Sequence, residues 1–270
     1  YQNDRLRFIN WFKAKLRPLL YSLYGVLLRH RINGVFAISC LAVEQYQRIG
    51  IIRRKIFPFG YFIPYHEPAN TVNSSTHITM KTDLKLVFIG NLIDRKGLDI
   101  LVNAVRELNN NGLSFSLDIY GPGVSGQYSF DKSSMRYCGL IPFGDSQLVI
   151  SEYDLLVLPS RYDGWGVVVN EALMAGVPVI CSDHVGASAV IEKWQCGTIF
   201  ESENVSDLAS KLESLLNYPD QFNNMRLAAR KASSSLEPKI AGQYMNDIIN
   251  QKSVPIGTNK QIDCPWYECK

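Results

Sequence analysis

The sequence has no apolar run approaching the ~20 residues that a membrane-spanning helix needs, which excludes a helical membrane protein. It lacks a strong charge of either sign. Its 270 residues sum to +3, too mild to argue for nucleic acid. It has no Asp-x-Asp pair and only four histidines, scattered, so no metal site is expected. Six cysteines are too few for a disulfide scaffold at this length. Cys40, Cys138, Cys181 and Cys196 lie in or beside apolar runs and read as reduced thiols of a cytosolic protein. Cys264 and Cys269, in Cys264-Pro-Trp-Tyr-Glu-Cys269, match no zinc or redox spacing. The N-terminal residues are not expected to be a signal peptide: residue 1 is Tyr, and no short apolar core with a small-residue cleavage site follows. The expectation is a chain that starts inside a larger protein. What is there is globular: 46% hydrophobic and 20% charged residues, enough length for about two domains.

The charge is unevenly placed. Through residue 57 eleven basic residues face only Asp4 and Glu44, a net +9, which leaves −6 for the remainder. The first basic residues alternate with Phe8, Trp11, Phe12, Leu19, Leu20, Leu23, Leu27 and Leu28, a helical pattern bent or restarted at Pro18. Such a helix can lie on an anionic membrane surface. It equally suits an ordinary surface helix that packs its apolar face on a sheet. Next come a strand over Gly34–Ser39, a helix over Leu41–Ile49, and a strand and turn over Lys55–Gly60. Residues 67–82 are polar and turn-rich, the best linker candidate in the chain.

Beyond the linker, strands and helices alternate. Strands are expected over Lys85–Gly90, Leu113–Tyr120, Tyr137–Ile141, Asp154–Pro159 and Val177–Ser182. Helices are expected over Leu98–Asn110, Ser146–Tyr153, Val167–Ala175, Ala187–Lys193, Val205–Leu216, Pro219–Ala232 and Leu236–Ile249. The helix over Leu98–Asn110 carries Leu101, Ala104, Val105 and Leu108 on one face and stops at Gly112. This alternation implies right-handed crossovers and a doubly wound parallel sheet, whose ligands bind outside the carboxyl ends of the strands. The expected division is 1–80, 81–235, and 236–270 as a C-terminal helix and tail.

Three clusters follow expected strands. Gly121-Pro-Gly123-Val-Ser-Gly126 matches G-x-G-x-x-G, but the next residues lack helical spacing, so the dinucleotide fingerprint is incomplete. The milder reading keeps these glycines as a tight loop where backbone approaches a ligand. In Gly90-Asn91-Leu-Ile-Asp94-Arg95-Lys96-Gly97, two adjacent cations at the ligand edge suit a phosphate, though such pairs on surface loops are usually just solvated. The third cluster, Ser160 to Pro178, is an acidic Gly-rich loop followed by a helix from about Val167. The free N–H groups of Gly166, Val167 and Val168 make an anion site there. Glu171 lies one turn further in, where a carboxylate can accept hydrogen bonds from a ribose diol. Asp163, in the loop before the helix, meets what hangs beyond the phosphate. Singly, Glu171 also reads as an exposed helix residue and Asp163 as turn chemistry.

Together these pieces resemble a known family. The spacing Asp163-x7-Glu171 is similar to the acidic-x7-Glu signature of GT-B-fold retaining glycosyltransferases, of family four (group one) type. Phe88-Ile-Gly90 with Lys96-Gly97, Asp118-Ile-Tyr-Gly121-Pro-Gly123, Cys138-Gly-Leu140, Tyr153 to Ser160 and Glu171 to Ile180 match in order. The resemblance covers about residues 34–250. It implies an α/β GT-B fold with the C-terminal Rossmann-like donor domain nearly complete and the N-terminal Rossmann-like domain only partly present. Residues 1–66 resemble only the last strand–helix portion of that N-terminal domain, so the acceptor site is expected largely outside this chain.

The resemblance also implies roles. Lys96, with Arg95 beside it, grips the donor diphosphate, and Gly90, Asn91 and Gly121 line the donor site. Glu171 binds the ribose, Asp163 the donor sugar, and the amides of Gly166, Val167 and Val168 a phosphate. The backbone near Leu140 and Ile141 lies beside the base. The sequence departs from the family at Asn91, often Arg, and at Asp163, more commonly Glu. The implied reaction is metal-independent transfer, with retained configuration, from a UDP- or GDP-linked sugar to a glycan or lipid-linked acceptor. No cofactor and no nucleic acid are implied. A cytoplasmic protein is expected, peripheral to a membrane through its basic N-terminal segment if the acceptor is lipid-linked. The competing readings are a non-catalytic nucleotide-sugar-binding module and a dinucleotide-dependent oxidoreductase using Gly121–Gly126.

Overall fold

The computed structural model describes residues 16, 19–65, 83–124, 126, 128–251 and 262–269. The basic aromatic stretch before Leu19, apart from Leu16, and the expected linker over 67–82 lie outside the described residues. The chain forms two compact units: Tyr1–Gly60 with Cys269–Lys270, and Tyr61–Glu268.

The smaller unit is a βαβ element. Strand β1 (Val35–Ile38), helix α1 (Cys40–Arg48) and strand β2 (Ile56–Phe59) bring β1 and β2 into parallel register, Val35 opposite Ile56. Ala37, Val43, Ile51 and Ile56 fill the small core beneath. Residues 19–28 are helical, and Gly25 is buried in that helix. A Cβ at Gly25 would run into the Ile49 carbonyl, so only glycine lets the helix approach this closely. Leu19, Leu20, Leu23, Tyr24 and Leu27 are exposed.

One cysteine expectation is overturned. Cys40 is not a reduced thiol; it is disulfide-bonded to Cys269, with Cα atoms 5.3 Å apart across 229 residues of chain. Local spacing cannot show a pair so far apart in sequence. Cys138, Cys181, Cys196 and Cys264 are free. Burial pushes the Cys196 thiol up to about 12 and that of Cys264 up to about 11. A bond closing so long a loop restricts the unfolded chain. Cys40→Ser is therefore expected to cost ~2–4 kcal/mol of stability. Denaturant unfolding checks this: reduced wild type should unfold at the same midpoint as the variant.

The larger unit is a six-stranded, all-parallel sheet in the order β5-β4-β3-β6-β7-β8. Its elements run β3 (Asp83–Ile89), α2 (Leu98–Asn110), β4 (Ser114–Tyr120), β5 (Met135–Gly139), α3 (Ser146–Ile150) and β6 (Leu155–Leu158). Then follow α4 (Val167–Met174), β7 (Val179–Ser182), α5 (Ser188–Trp194) and β8 (Gly197–Phe200). Helices α6 (Val205–Asn217), α7 (Pro219–Ser235) and α8 (Pro238–Gln251) complete it. The order reverses between β3 and β6, the switch point where such sheets bind ligands.

Burial follows from topology. β6 and β7 are interior strands covered on both faces, and every residue in them is buried, so they read as unbroken apolar runs. β4 alternates instead. Phe115, Leu117 and Ile119 join the core formed with α2 and α6, while Asp118 on the other face accepts from Arg136 and from the Tyr153 hydroxyl. A cavity of about 390 Å³, lined by Lys85, Asp118, Lys132, Arg136 and Tyr153 among others, opens on that face. It reaches the amino-terminal residues of β3 and β5, away from the carboxyl edge.

Two strand expectations need correcting. β8 was not legible, because Gly197-Thr-Ile-Phe200 gives no unbroken apolar run and follows Gln195, whose φ of 54° ends α5. The strand expected over Tyr137–Ile141 runs Met135–Gly139. Gly139, at φ 82°, takes the chain out of the sheet, so Leu140 and Ile141 lie in the next loop. The C-terminal tail also acquires a role. Trp266 and Tyr267 are fully buried, Trp266 stacking edge-on with Tyr244 and Phe62. Trp194 donates to the Trp266 carbonyl, and Lys193 to that of Cys264. Among the described residues no helix is long and apolar enough to cross a membrane.

Candidate active site

The site residues sit on the loops that leave β3 and β6. At the end of β3, the Gly90 N–H donates to the Tyr120 carbonyl, drawing the loops after β3 and β4 together. Gly121 and Gly123 have φ of 137° and 143°, and a Cβ on them would strike Gly90 and Leu92 respectively. Their glycines are accounted for by backbone lying on backbone. The Gly121 N–H donates to the Gly139 carbonyl, and its own carbonyl accepts from the Tyr137 hydroxyl. No α-helix follows in residues 128–134, so the dinucleotide fingerprint has no helix N-terminus there.

Next comes a single 3₁₀ turn, Asp94–Lys96, ended by Gly97 in the left-handed region. A Cβ at Gly97 would collide with the Pro159 carbonyl, so glycine seats this turn against the end of β6. The Arg161 N–H donates to the Arg95 carbonyl at 2.9 Å, joining the two loops further. The Arg95 side chain is exposed and donates to the Tyr162 carbonyl at 2.7 Å. Asn91 is exposed as well. Lys96 instead reaches across the switch point. Its Nζ lies 2.5 Å from Asp163 Oδ2, and the two side chains are only 15% and 14% exposed.

The loop after β6 holds Asp163 by its backbone. Its N–H donates to the His184 carbonyl and its carbonyl accepts from Gly186, so Asp163 forms a bridge with the loop after β7. Gly166, at φ 89°, is the N-cap of α4; a Cβ there would press on Leu158 and Val185. No side chain caps α4. Trp165 is buried, and its indole N–H donates to Asn170, whose amide donates to the Tyr61 carbonyl. These bonds tie the loop to the helix it starts. One turn in, Glu171 Oε1 accepts from the Ser146 hydroxyl at 2.7 Å, which orients the carboxylate.

The structure therefore pairs Lys96 directly with Asp163. Gly166, Val167 and Val168 stand at the start of the helix that carries Glu171. Leu140 and Ile141 lie in the loop leading from β5 to Ser146, and Leu140 is 67% exposed. Sequence reasoning missed Ser146 and Arg161. The Arg161 guanidinium is engaged by Asp99, Asp94 and Glu203. The Arg161 hydrogen bond holds the Asp99 carboxyl below the usual range. Arg161 stands two residues before Asp163, a legible signal, but its acidic partners are far off in sequence.

The model of the glycosyl transferases group 1 family matches residues 73–232, more than half of the chain. The chain belongs to this family. The matched segment of this group 1 chain contains every site residue from Gly90 to Glu171. The poly(ribitol-phosphate) alpha-N-acetylglucosaminyltransferase of Staphylococcus aureus is 26% identical over 233 residues, 83% of this chain and 43% of that protein. The putative colanic acid biosynthesis glycosyltransferase WcaL of Salmonella typhimurium is 25% identical over 195 residues, 66% of this chain and 46% of that protein. The group 1 chain thus spans less than half of either relative. The structure of Anabaena Alr3699/HepE in complex with UDP superimposes with TM-score 0.70 at 14% identity, over 87% of this chain and 68% of that one. The fold is GT-B.

Proposed function

We propose that the intact protein transfers a sugar from a nucleotide diphosphate sugar to a glycan or lipid-linked acceptor, with retention of anomeric configuration. The observation that carries this is the Lys96–Asp163 pair, held at the switch point beside the uncapped start of α4. The donor diphosphate takes Lys96 and the first amides of α4, with Gly90, Asn91 and Arg95 at its flank. Charge builds on that diphosphate as the glycosidic bond breaks, and a fixed cation aligned with a helix dipole stabilises it without a metal. Asp163, released from Lys96, meets the sugar. Glu171, oriented by Ser146, takes the ribose diol. The base then falls toward Leu140 and Ile141.

The names of relatives support the substrate class. Two act, by name, on poly(ribitol-phosphate) and in colanic acid biosynthesis, so polysaccharide or envelope glycan synthesis is the proposed setting. Solved neighbours hold UDP and UDP-glucose, which makes UDP the first nucleotide to test. A peripheral hold on an anionic membrane is proposed for the basic segment through residue 57. Failure of the intact protein to sediment with anionic liposomes at low salt removes that part. Disulfides persist in oxidising compartments, so the Cys40–Cys269 bond opposes a cytoplasmic site. Thiol labelling of those two residues in cell extract decides the matter.

The test of the donor site is thermal denaturation with UDP, GDP, their sugar conjugates and NAD. A nucleoside diphosphate at 100 times its dissociation constant adds ~2.7 kcal/mol of stability. That gain is expected for one nucleoside diphosphate and is expected to vanish in Glu171→Ala. Stabilisation by NAD that survives Glu171→Ala, or by no nucleoside diphosphate, would overturn the reading.

A further inference from the structure

Arg161 stands two residues before Asp163, where a cation reads first as one more phosphate ligand. Its contacts give it another task. Nη1 donates to the Asp94 carbonyl at 2.6 Å, and Nη1 and Nη2 form a fork on Asp99 at 2.9 and 2.6 Å. Nε donates to Glu203 at 3.0 Å. Its backbone N–H donates to Arg95 and its carbonyl accepts from the His184 ring. One residue of the loop after β6 thus gathers the loops that follow β3, β7 and β8.

The turn it holds is short and is tied to the β6 loop from its own side by Arg95, which donates to the Tyr162 carbonyl. Asp94–Lys96 is three residues long and buries none of them. Within the turn, the Lys96 N–H donates to Ile93 and the Gly97 N–H to Asp94. Gly97 seats it against Pro159, and Lys96 reaches Asp163. That last bond is the one a bound diphosphate would break, because Lys96 would turn to the phosphate. The Arg161 guanidinium, on the Asp94 carbonyl and on Asp99 at the start of α2, then ties the turn to the β6 loop together with the exposed Arg95 side chain, which donates to the Tyr162 carbonyl. Lysine cannot replace Arg161, since an ammonium is a single point charge and cannot present a planar fork to Asp99 while also reaching Asp94 and Glu203.

We propose that Arg161 is a positioning residue: it fixes the Asp94–Lys96 turn relative to the start of α4 and so sets recognition of the donor's second phosphate without touching the donor. This rests on the reading of the site as a nucleotide diphosphate site. It predicts a particular pattern. Recognition of the first phosphate, by the amides of α4, is independent of the turn; recognition of the second, by Lys96, depends on it.

The experiment measures binding of a nucleoside diphosphate and the matching monophosphate to the intact protein, by calorimetry, in wild type, Arg161→Lys, Arg161→Met and Asp99→Asn. Amide exchange at Lys96 and Gly97 is followed in the same variants without nucleotide. Arg161→Met is expected to weaken the diphosphate about tenfold or more and the monophosphate less than about twofold. Arg161→Lys should fail to restore the difference. Asp99→Asn, which keeps the bond to Asp94, should show the same pattern more weakly and serves if Arg161→Met does not fold. The two amides should exchange faster in each. Equal weakening of both nucleotides, or unchanged exchange, overturns the proposal. A wild type without preference for the diphosphate sinks the donor-site reading itself, and the exchange data still judge whether Arg161 holds the turn.

Discussion

Lys96→Ala and Asp163→Ala are each expected to lower turnover of the intact protein by about two to three orders of magnitude, the loss usual for one preorganised charge at a reacting centre. Their effects on the ligand-free protein should differ from this. The two side chains are paired and mostly buried, so either single change strands a charge with little water around it. Removing both strands none. The double variant is therefore expected to be more stable than the two single losses predict, with a coupling of ~0.5–3 kcal/mol in a denaturant-unfolding cycle. Turnover should show no such relief, because each charge faces a different part of the donor. A protein that shows no turnover, and in these variants loses only donor affinity, is a binding module and not an enzyme.

Gly97→Ala should be among the most damaging conservative changes in the larger unit. Two costs meet there. Gly97 has φ 66°, a conformation that costs an L-residue ~1–2 kcal/mol, and a Cβ would collide with the Pro159 carbonyl. A backbone carbonyl cannot rotate away as a side chain can, so the turn bearing Lys96 or the end of β6 must shift. The expected loss exceeds about 3 kcal/mol of stability, and turnover falls with it. Gly112 separates the two costs. It has φ 85°, but a Cβ there meets nothing within 4 Å, so Gly112→Ala should lose only ~1–2 kcal/mol and keep its activity. Equal losses at the two glycines would show that the Pro159 contact does not hold the turn.

Much of the larger unit was legible because its signals are local. The apolar spacing of Leu101, Ala104, Val105 and Leu108 predicts α2 to its observed ends, Leu98 and Asn110. The unbroken apolar runs in β6 and β7 announce strands buried on both faces. Lys96, Asp163 and Glu171 were legible as candidates because alternating strands and helices say which loops lie at the carboxyl edge. The orientation of Glu171 was not legible: Ser146, which holds it, lies 25 residues earlier on another helix.

By itself, then, the sequence determined the parallel doubly wound sheet, its elements in chain order except β8, and the loops at its carboxyl edge that carry the candidate residues. Each follows from hydrophobic period, glycine placement and handedness, properties of neighbours along the chain. The tertiary structure alone decided that Lys96 meets Asp163, that Arg161 binds Asp99 and Glu203, and that Cys40 bonds Cys269. It also decided that a polar tail buries Trp266 and Tyr267. Those partners lie between 42 and 229 residues apart. No local preference encodes such separations. They become contacts only when burial of the apolar strands closes the sheet and brings its edge loops together.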